Sequence, residues 1–373
     1  MTVHYTPEQM LARLVGLETV VGRPNLALAD FVRDYLEGHN IACRILPGPE
    51  GDRVNLFATI GDPERPGFIL SGHVDVVPAG EPEWLGDPFT LRSDGDRLIG
   101  RGACDMKGFV AAVLAAAPDL AAMAPASPVH IALSYDEEAG CKGVPHLIAA
   151  LPDLCATPAG CIVGEPTGLV PVLAHKGKAA LRLVAGGVSG HSSRPDRGEN
   201  AIHALVPLLA AAEKQARALA ENGPRDMRFE PPYSSLQIGT IRGGQALNII
   251  PDWAEAEIEA RAIAGVDPRE LLAPVAAAAG DRVAVEWLAS YPALALDPGD
   301  PLASMVERIS GSASIGAVSF GTEAGLFQAA GIPSVICGPG DISRAHRPEE
   351  YLTLSELRSA FDMVLALGRT LIV

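Results

Sequence analysis

The chain has 373 residues, 48% of them hydrophobic and 20% charged, with a formal net charge of −16. That length suits about two domains, and that composition a chain able to bury a core rather than a disordered one. The acidic balance argues against a nucleic-acid backbone or an anionic membrane surface as partner, yet leaves open an anionic small molecule, because a pocket can differ from the mean field.

Helical periodicity covers residues 6–16, entered through Thr6-Pro7-Glu8 as N-cap and first turn, and residues 25–39. β-like runs follow at 41–46, 53–60 and 67–72. The pattern predicts a helix from Met106 to Met123, a strand from Val129 to Tyr135, a helix over 141–151 and a short strand over 160–163. This alternation indicates an α/β sandwich with ligands at its strand ends. After Lys176 the order becomes strand (179–184), helix (199–221), two strands (234–241 and 253–263), helix (268–279) and a closing strand, which describes a small inserted α+β domain of ferredoxin-like order. The chain then returns with a helix at 301–309, a β-like run at 315–319, a strand at 333–337 and a helix at 354–369. The expected organisation is a first domain in two segments, 1–175 and 286–373, with the insert at 176–285.

The six cysteines (43, 104, 141, 155, 161, 337) are scattered without a Cys-x-x-Cys pair, as expected of reduced thiols in a cytoplasmic protein. The first residues lack a basic stretch followed by an apolar core, so no secretory signal is expected. The Ala-rich runs near 109–117 and 204–212 are too short to span a bilayer.

Chemistry concentrates at His73-x-Asp75, delivered by the apolar run Gly67-Phe68-Ile69-Leu70. A metal-binding imidazole needs an acceptor on its other nitrogen, and Asp75 stands two residues away. Asp105 follows in Gly100-Arg101-Gly102-Ala103-Cys104-Asp105, then Glu137-Glu138, Glu165 in Gly164-Glu165-Pro166-Thr167, and His346 in Ala345-His346-Arg347-Pro348. Asp105 lies 32 residues after His73 and 32 before Glu137, as if one βα unit separated successive ligands. Two histidines and several carboxylates exceed one tetrahedral zinc and suit two metal ions about 3.5–4 Å apart. Asp105 is the natural bridge. Adjacent side chains on extended backbone point to opposite sides, so of Glu137 and Glu138 one would bind metal and the other act as base on the bridging water. That combination performs metal-assisted amide hydrolysis. Gly100-x-Gly102 lacks the rest of a dinucleotide fingerprint, and no phosphate-binding Gly-Lys-Ser/Thr loop occurs.

At these residues the chain resembles the dinuclear zinc aminoacylase and metallopeptidase family. The resemblance is carried by Gly72-His73-x-Asp75, Gly100-Arg101-Gly102 through Asp105-Met106-Lys107-Gly108, Asp136-Glu137-Glu138 and Gly190-His191-Ser192-Ser193. It implies His73, Asp105 and Glu165 on one zinc, and Asp105, Glu138 and His346 on the other, with Co2+ or Mn2+ as possible substitutes. It further implies Asp75 orienting His73, Glu137 as general base, and a cis peptide after Asp105. His191 would reach across a dimer interface in the lid to steady the oxyanion in the partner's site. Asn248 and Arg261 would hold the substrate carboxylate, with a backbone contact from Gly325. Within the family, Ser134 to Glu138 with Cys141 and Gly143, Ala174-His175-Lys176-Gly177, and Phe320 to Phe327 are most similar to the acetylornithine deacetylase branch. Leu326 stands where a desuccinylase is expected to carry Arg, and Cys104 departs from the usual small residue or Thr. The resemblance therefore implies a homodimeric two-zinc enzyme releasing acetate from N2-acetyl-L-ornithine, or a related deacylase for another N-acyl amino acid. Glu323 or Asp87 is a candidate to read an ornithine ammonium.

Overall fold

The computed structural model describes residues 3–372. Two compact units form. The first holds the chain up to Leu173, Ala295–Gly316 and everything from Thr322; the second holds Ala174–Leu294 and Ala317–Gly321.

In the first unit, strands Cys43–Pro47 (β1), Val54–Ile60 (β2), Phe68–His73 (β3), Val129–Ser134 (β4), Gly160–Pro166 (β5) and Ser334–Gly338 (β6) make one sheet in the order β1-β2-β4-β3-β5-β6. Strands β3 to β6 run parallel, and β1 and β2 join antiparallel. Every residue of β4 and β5 is buried, as expected for parallel strands covered on both faces. The winding goes from β3 out to β4 and then back past β3 to β5. That reversal leaves a crevice beyond the carboxyl ends of the three strands.

The crossover from β3 to β4 is the helix Lys107–Met123, apolar and buried on nearly every side. It packs against the helices Pro7–Val15 and Leu354–Thr370. Gly164 makes this packing possible, since a Cβ there would fall 2.0 Å from the Phe109 ring. The helices Val144–Ala150 and Ala324–Ala329 cover the other face of the sheet, completing an α/β/α sandwich. Helix starts follow the sequence signals: Thr6 with Gln9 and Thr353 with Glu356 form capping boxes.

Two expectations are corrected. Residues 315–319 form no strand; Ile315 and Val318 make only isolated bridges, to Val172 and His175. The 32-residue spacing from His73 to Asp105 is not a βα unit either. That segment carries a hairpin, Arg92–Asp94 with Arg97–Ile99, which joins Tyr351–Thr353 in a separate three-stranded sheet. Asp105 thus arrives at the start of the crossover helix, not at a strand end.

The second unit is a four-stranded antiparallel sheet in the order Ser235–Gly243, Trp253–Ala262, Gly177–Gly186, Val283–Tyr291. The helices Ala201–Asn222 and Pro268–Ala277 pack on it around Leu181, Leu183, Leu205, Ile258 and Leu272. Burial alternates strictly along Gly177–Gly186 and Trp253–Ala262, so a period-2 pattern faces the helices. The ferredoxin-like order read from sequence is present. Among the described residues no helix is long and apolar enough to cross a membrane, and all six cysteines are free.

His130, the second residue of β4, ties acid stability to the fold. Its ring is fully buried, stacks on Phe57 at 5.2 Å, and has Nδ1 3.0 Å from the Thr59 hydroxyl. Burial pushes its pKa down from 6.5 to about 4. The unfolded chain takes up this proton near pH 6.5 and the native one only near 4, so the contribution is complete above pH 6.5 and lost as pH falls through that window. At pH 4.5 the loss should reach about 2–3 kcal/mol. Urea unfolding of metal-stripped wild type and His130→Phe at pH 7 and 4.5 checks this; equal losses in both proteins would refute it.

Candidate metal centre

The crevice at the carboxyl ends of β3, β4 and β5 collects the residues singled out in the first unit. His73 is the last residue of β3, and Glu165 lies near the end of β5. The turn after β4 carries Glu137 and Glu138. Asp105 precedes the crossover helix, and its peptide to Met106 is cis. His346 follows the short helical turn Ile342–Arg344.

Asp105 sits at the centre. Its Oδ1 is 3.1 Å from His73 Nε2 and its Oδ2 is 3.4 Å from His346 Nε2. Glu165 Oε1 lies 3.8 Å from His73 Nε2, and Glu138 Oε1 lies 3.0 Å from His346 Nε2. One carboxylate thus faces an imidazole with each oxygen, and each imidazole has a further carboxylate beside it. His73 Nδ1 can only donate to the Asp75 carbonyl, 2.9 Å away, so in the neutral ring Nε2 presents a lone pair to the carboxylates. A lone pair among carboxylate oxygens is repulsive unless a cation lies between them. The same crowding shows in the titration of the histidines. Burial works against charge on His73, but the Asp105 hydrogen bond and the charges of Asp75 and Glu165 lift it well above its usual range, while Asp105 and Glu138 hold His346 at about 10. The carboxylates diverge, with Asp105 pulled down by its two histidines and Glu165 pushed well up by burial and by Asp105. His73, Glu137 and Glu165 form one set whose donor atoms all lie within 4.8 Å of one another, and His73, Asp105 and Glu138 another. Oxygen and imidazole donors in this arrangement fit zinc, and also cobalt or manganese.

Two expected details come out differently. Glu137 and Glu138 lie on a turn, not on extended backbone; the Glu137 carbonyl accepts from Gly140 and Cys141 N–H. Both side chains can therefore approach the centre. Asp75 orients His73 through its main-chain carbonyl, with its carboxylate 3.6 Å from the ring. That carboxylate instead accepts the Glu137 and Glu138 N–H groups, each at 3.1 Å, and so holds the turn. Asp136, at φ 52°, anchors the same turn by pairing with Arg53 and accepting from Gly22 N–H at 2.7 Å.

Glu137 is held by the Cys141 thiol, which donates to Oε1 at 3.2 Å. Burial raises its carboxyl to about 8; His73 opposes the rise, and Glu138, Glu323 and Asp75 add to it. Glu323 is turned inward. It is 1% exposed and spends its carboxylate on Ser71, at 3.1 Å, and Ser134, beneath the strand ends. Asp87 is committed to the Thr90 hydroxyl and Phe89 N–H. Cys104 is buried, its Sγ 3.5 Å from the Asp341 carbonyl, and burial pushes its thiol far up, the setting of a packing group. Gly325 is buried in the first turn of Ala324–Ala329.

The second unit carries the other three. His191 pairs through Gly190–His191 with Ile249–Ile250, and Ser192 N–H donates to the Asn248 carbonyl at 3.0 Å. Their two loops are therefore neighbours. Ser193 N–H donates to His191 Nδ1 at 3.2 Å, which leaves the ring proton on Nε2, free to donate outward. Arg261 lies on Trp253–Ala262, with Nε 2.7 Å from Glu259 and Nη1 3.3 Å from the Tyr291 hydroxyl. A cavity of about 1030 Å³ in this unit is lined by Ser192, Asn200, His203, Gln245, Ile250 and Arg282. It contains none of the His73–Asp105 cluster, so cavity size alone does not find the chemistry here.

Comparison with solved structures agrees with this architecture. The chain matches an M20 family metallo-carboxypeptidase from Sulfolobus solfataricus with a TM-score of 0.80 at 17% identity, covering 98% of this chain and 99% of that one. It matches a tripeptidase from Staphylococcus aureus with a TM-score of 0.75 at 18% identity, over 99% and 100% of the two chains. It also matches a dinuclear metal-binding peptidase of the M20 family from Bacillus subtilis with a TM-score of 0.64 at 18% identity, over 98% of each. At these identities the likeness is one of fold. A family model covers residues 69–369, from β3 through the last helix and thus across every proposed ligand, and the chain accordingly belongs to peptidase family M20/M25/M40.

Proposed function

We propose that this metal-dependent hydrolase removes the acetyl group from N2-acetyl-L-ornithine, giving L-ornithine and acetate. The observation that carries the chemistry is Asp105, facing His73 with one oxygen and His346 with the other. We assign His73, Asp105 and Glu165 to one metal, and Asp105, Glu138 and His346 to the other. Two such ions polarise an amide carbonyl and make water a nucleophile near neutral pH.

Around them the chain's own groups divide the work. Glu137 takes a proton from the attacking water and passes it to the leaving nitrogen as the amide C–N bond breaks. A carboxylate beside the attacking water can accept a proton and return it, and burial in the metal-free protein raises this one above the ordinary carboxylate range. The Cys141 thiol occupies Oε1 and leaves Oε2 for the proton. Asp75 keeps Glu137 and Glu138 in register by holding their N–H groups. His191 Nε2–H is assigned to the developing oxyanion in the partner's site of a homodimer, and Asn248 and Arg261 to the substrate carboxylate, for which a guanidinium is suited in charge and shape. Gly325 is assigned a backbone contact.

Substrate choice rests on the resemblance of Ser134–Glu138 with Cys141 and of Phe320–Phe327 to the acetylornithine branch, and on Leu326. Half-buried and apolar, Leu326 offers a succinyl group no second cation. The homodimer is likewise a proposal, supported by the edge strand Ser235–Gly243, which exposes Ile238 and Ile241. The test is a panel of N2-acetyl-ornithine, N-acetyl-methionine, N-succinyl-diaminopimelate and a dipeptide, measured against added zinc equivalents. Acetyl-ornithine should lead in kcat/KM, with activity rising to two metals per chain. Another leading substrate would remove the ornithine assignment and keep the hydrolase.

A further inference from the structure

We propose that Glu350, clasped by Arg101, is a positioning residue that sets Asp105 and His346 for the second metal before the ion arrives; this rests on the dinuclear reading above. Neither residue is a ligand. Both are 1% exposed. Glu350 Oε1 accepts the N–H groups of Cys104 at 2.9 Å and Asp105 at 3.0 Å. Its Oε2 accepts Gly102 N–H at 3.0 Å and Arg101 Nη1 at 2.9 Å. These four donors fill the carboxylate's acceptor positions, and three of them are main-chain groups of one loop wrapped around an anion. Gly102 permits the wrap: it has φ 79°, and a Cβ there would fall 2.5 Å from Val76 Cγ1.

The main chain of Asp105 is thus pinned at its own nitrogen, next to the Cα that aims its two oxygens at the two histidines. Arg101 extends the device to the other ligand. Its Nη1 also donates to the Arg347 carbonyl, 3.3 Å away and one residue past His346, while Nη2 reaches the Pro78 carbonyl at 3.2 Å and Glu81 at 3.1 Å. Glu350 itself is four residues past His346 and closes that loop from its far end, its carbonyl accepting Gly100 N–H at 2.9 Å. One buried ion pair therefore holds the backbones that carry two of the three ligands assigned to the second metal. The first metal keeps His73 and Glu165, which sit on strands of the main sheet and do not depend on the clasp.

A glutamine at position 350 has one acceptor oxygen and turns its NH2 toward N–H donors, so two of the four hydrogen bonds are lost in either orientation. Metal-free wild type, Glu350→Gln and Arg101→Lys are titrated with Zn2+ by calorimetry, with thermal unfolding in chelator as the measure of the apo fold. Wild type should show two binding events. Glu350→Gln should weaken one event about 10- to 100-fold, and the other, which loses only its share of Asp105, by much less. Arg101→Lys keeps the charge, loses the fork, and should weaken the same event by less. Affinities unchanged in both variants, or both events weakened alike, would overturn the proposal, since a merely structural ion pair does not choose between two metals. If Glu350→Gln fails to fold, Arg101→Lys decides on the same criterion. A single event in wild type would sink the two-metal reading instead, and the clasp would then stand or fall on whether that event weakens in the variants.

Discussion

A Glu137→Gln protein should bind both metals and turn over about 10²- to 10⁴-fold more slowly than wild type. The replacement is nearly isosteric, and its amide oxygen can still accept the Cys141 thiol that now meets Oε1 at 3.2 Å. The main chain of the turn stays tied to Asp75. What goes is a group able to hold a proton between the attack of water and the departure of the amine. Metal content after dialysis and kcat on the best substrate of the panel measure the two halves of this expectation. The control matters because a Glu137 oxygen also comes within 4.8 Å of the His73 and Glu165 donor atoms. Loss of one metal would make Glu137 a ligand and leave the base to be found elsewhere. Full metal content with less than a tenfold fall in kcat would remove it from the proton transfer altogether.

The second large effect is expected at Asp105. Asp105→Ala removes the one side chain shared by both histidines, so both metals should weaken, each by at least about 100-fold, since even outer partners of a ligand are worth 10–100-fold. Activity should fall below detection at stoichiometric metal. The loop itself should persist, because Glu350 grips its main chain and not the side chain that is cut. His73→Ala is the comparison: it should weaken one metal and spare the other, which has Glu138 and His346 close by. If Asp105→Ala still holds one ion tightly, the carboxylate is not a bridge, and the assignment of ligands to two ions has to be redrawn.

How much of this was visible in the sequence depends on the range of the interaction. The strands β3, β4 and β5 announce themselves as short apolar runs, and the donors cluster because they follow those runs directly. Glu165 and His73 could be read this way. Asp105 and His346 could be singled out as donors by residue type, but spacing misplaced Asp105, and neither ends a strand of the main sheet. The three-stranded sheet of Arg92–Asp94, Arg97–Ile99 and Tyr351–Thr353 was missed because its segments are three residues each, too short to show a period, and one of them comes from some 250 residues away. The segment 315–319 errs the other way, β-like in composition but with only isolated bridges to pair with.

The roles of the buried acids divide along the same line. Sequence by itself determined the fold class, the chain order of the main-sheet strands and of the inserted unit's elements, and a set of donors whose chemistry admits a metal, because periodicity, caps and ligand types are local properties of the chain. Only the tertiary structure decided that Asp75 steers His73 through a carbonyl, that Glu323 lies under Ser71 and Ser134, and that Glu350 clasps the Asp105 loop. A carboxylate that accepts main-chain N–H groups leaves no trace of its partners in the sequence, since every residue except proline has the same N–H to give.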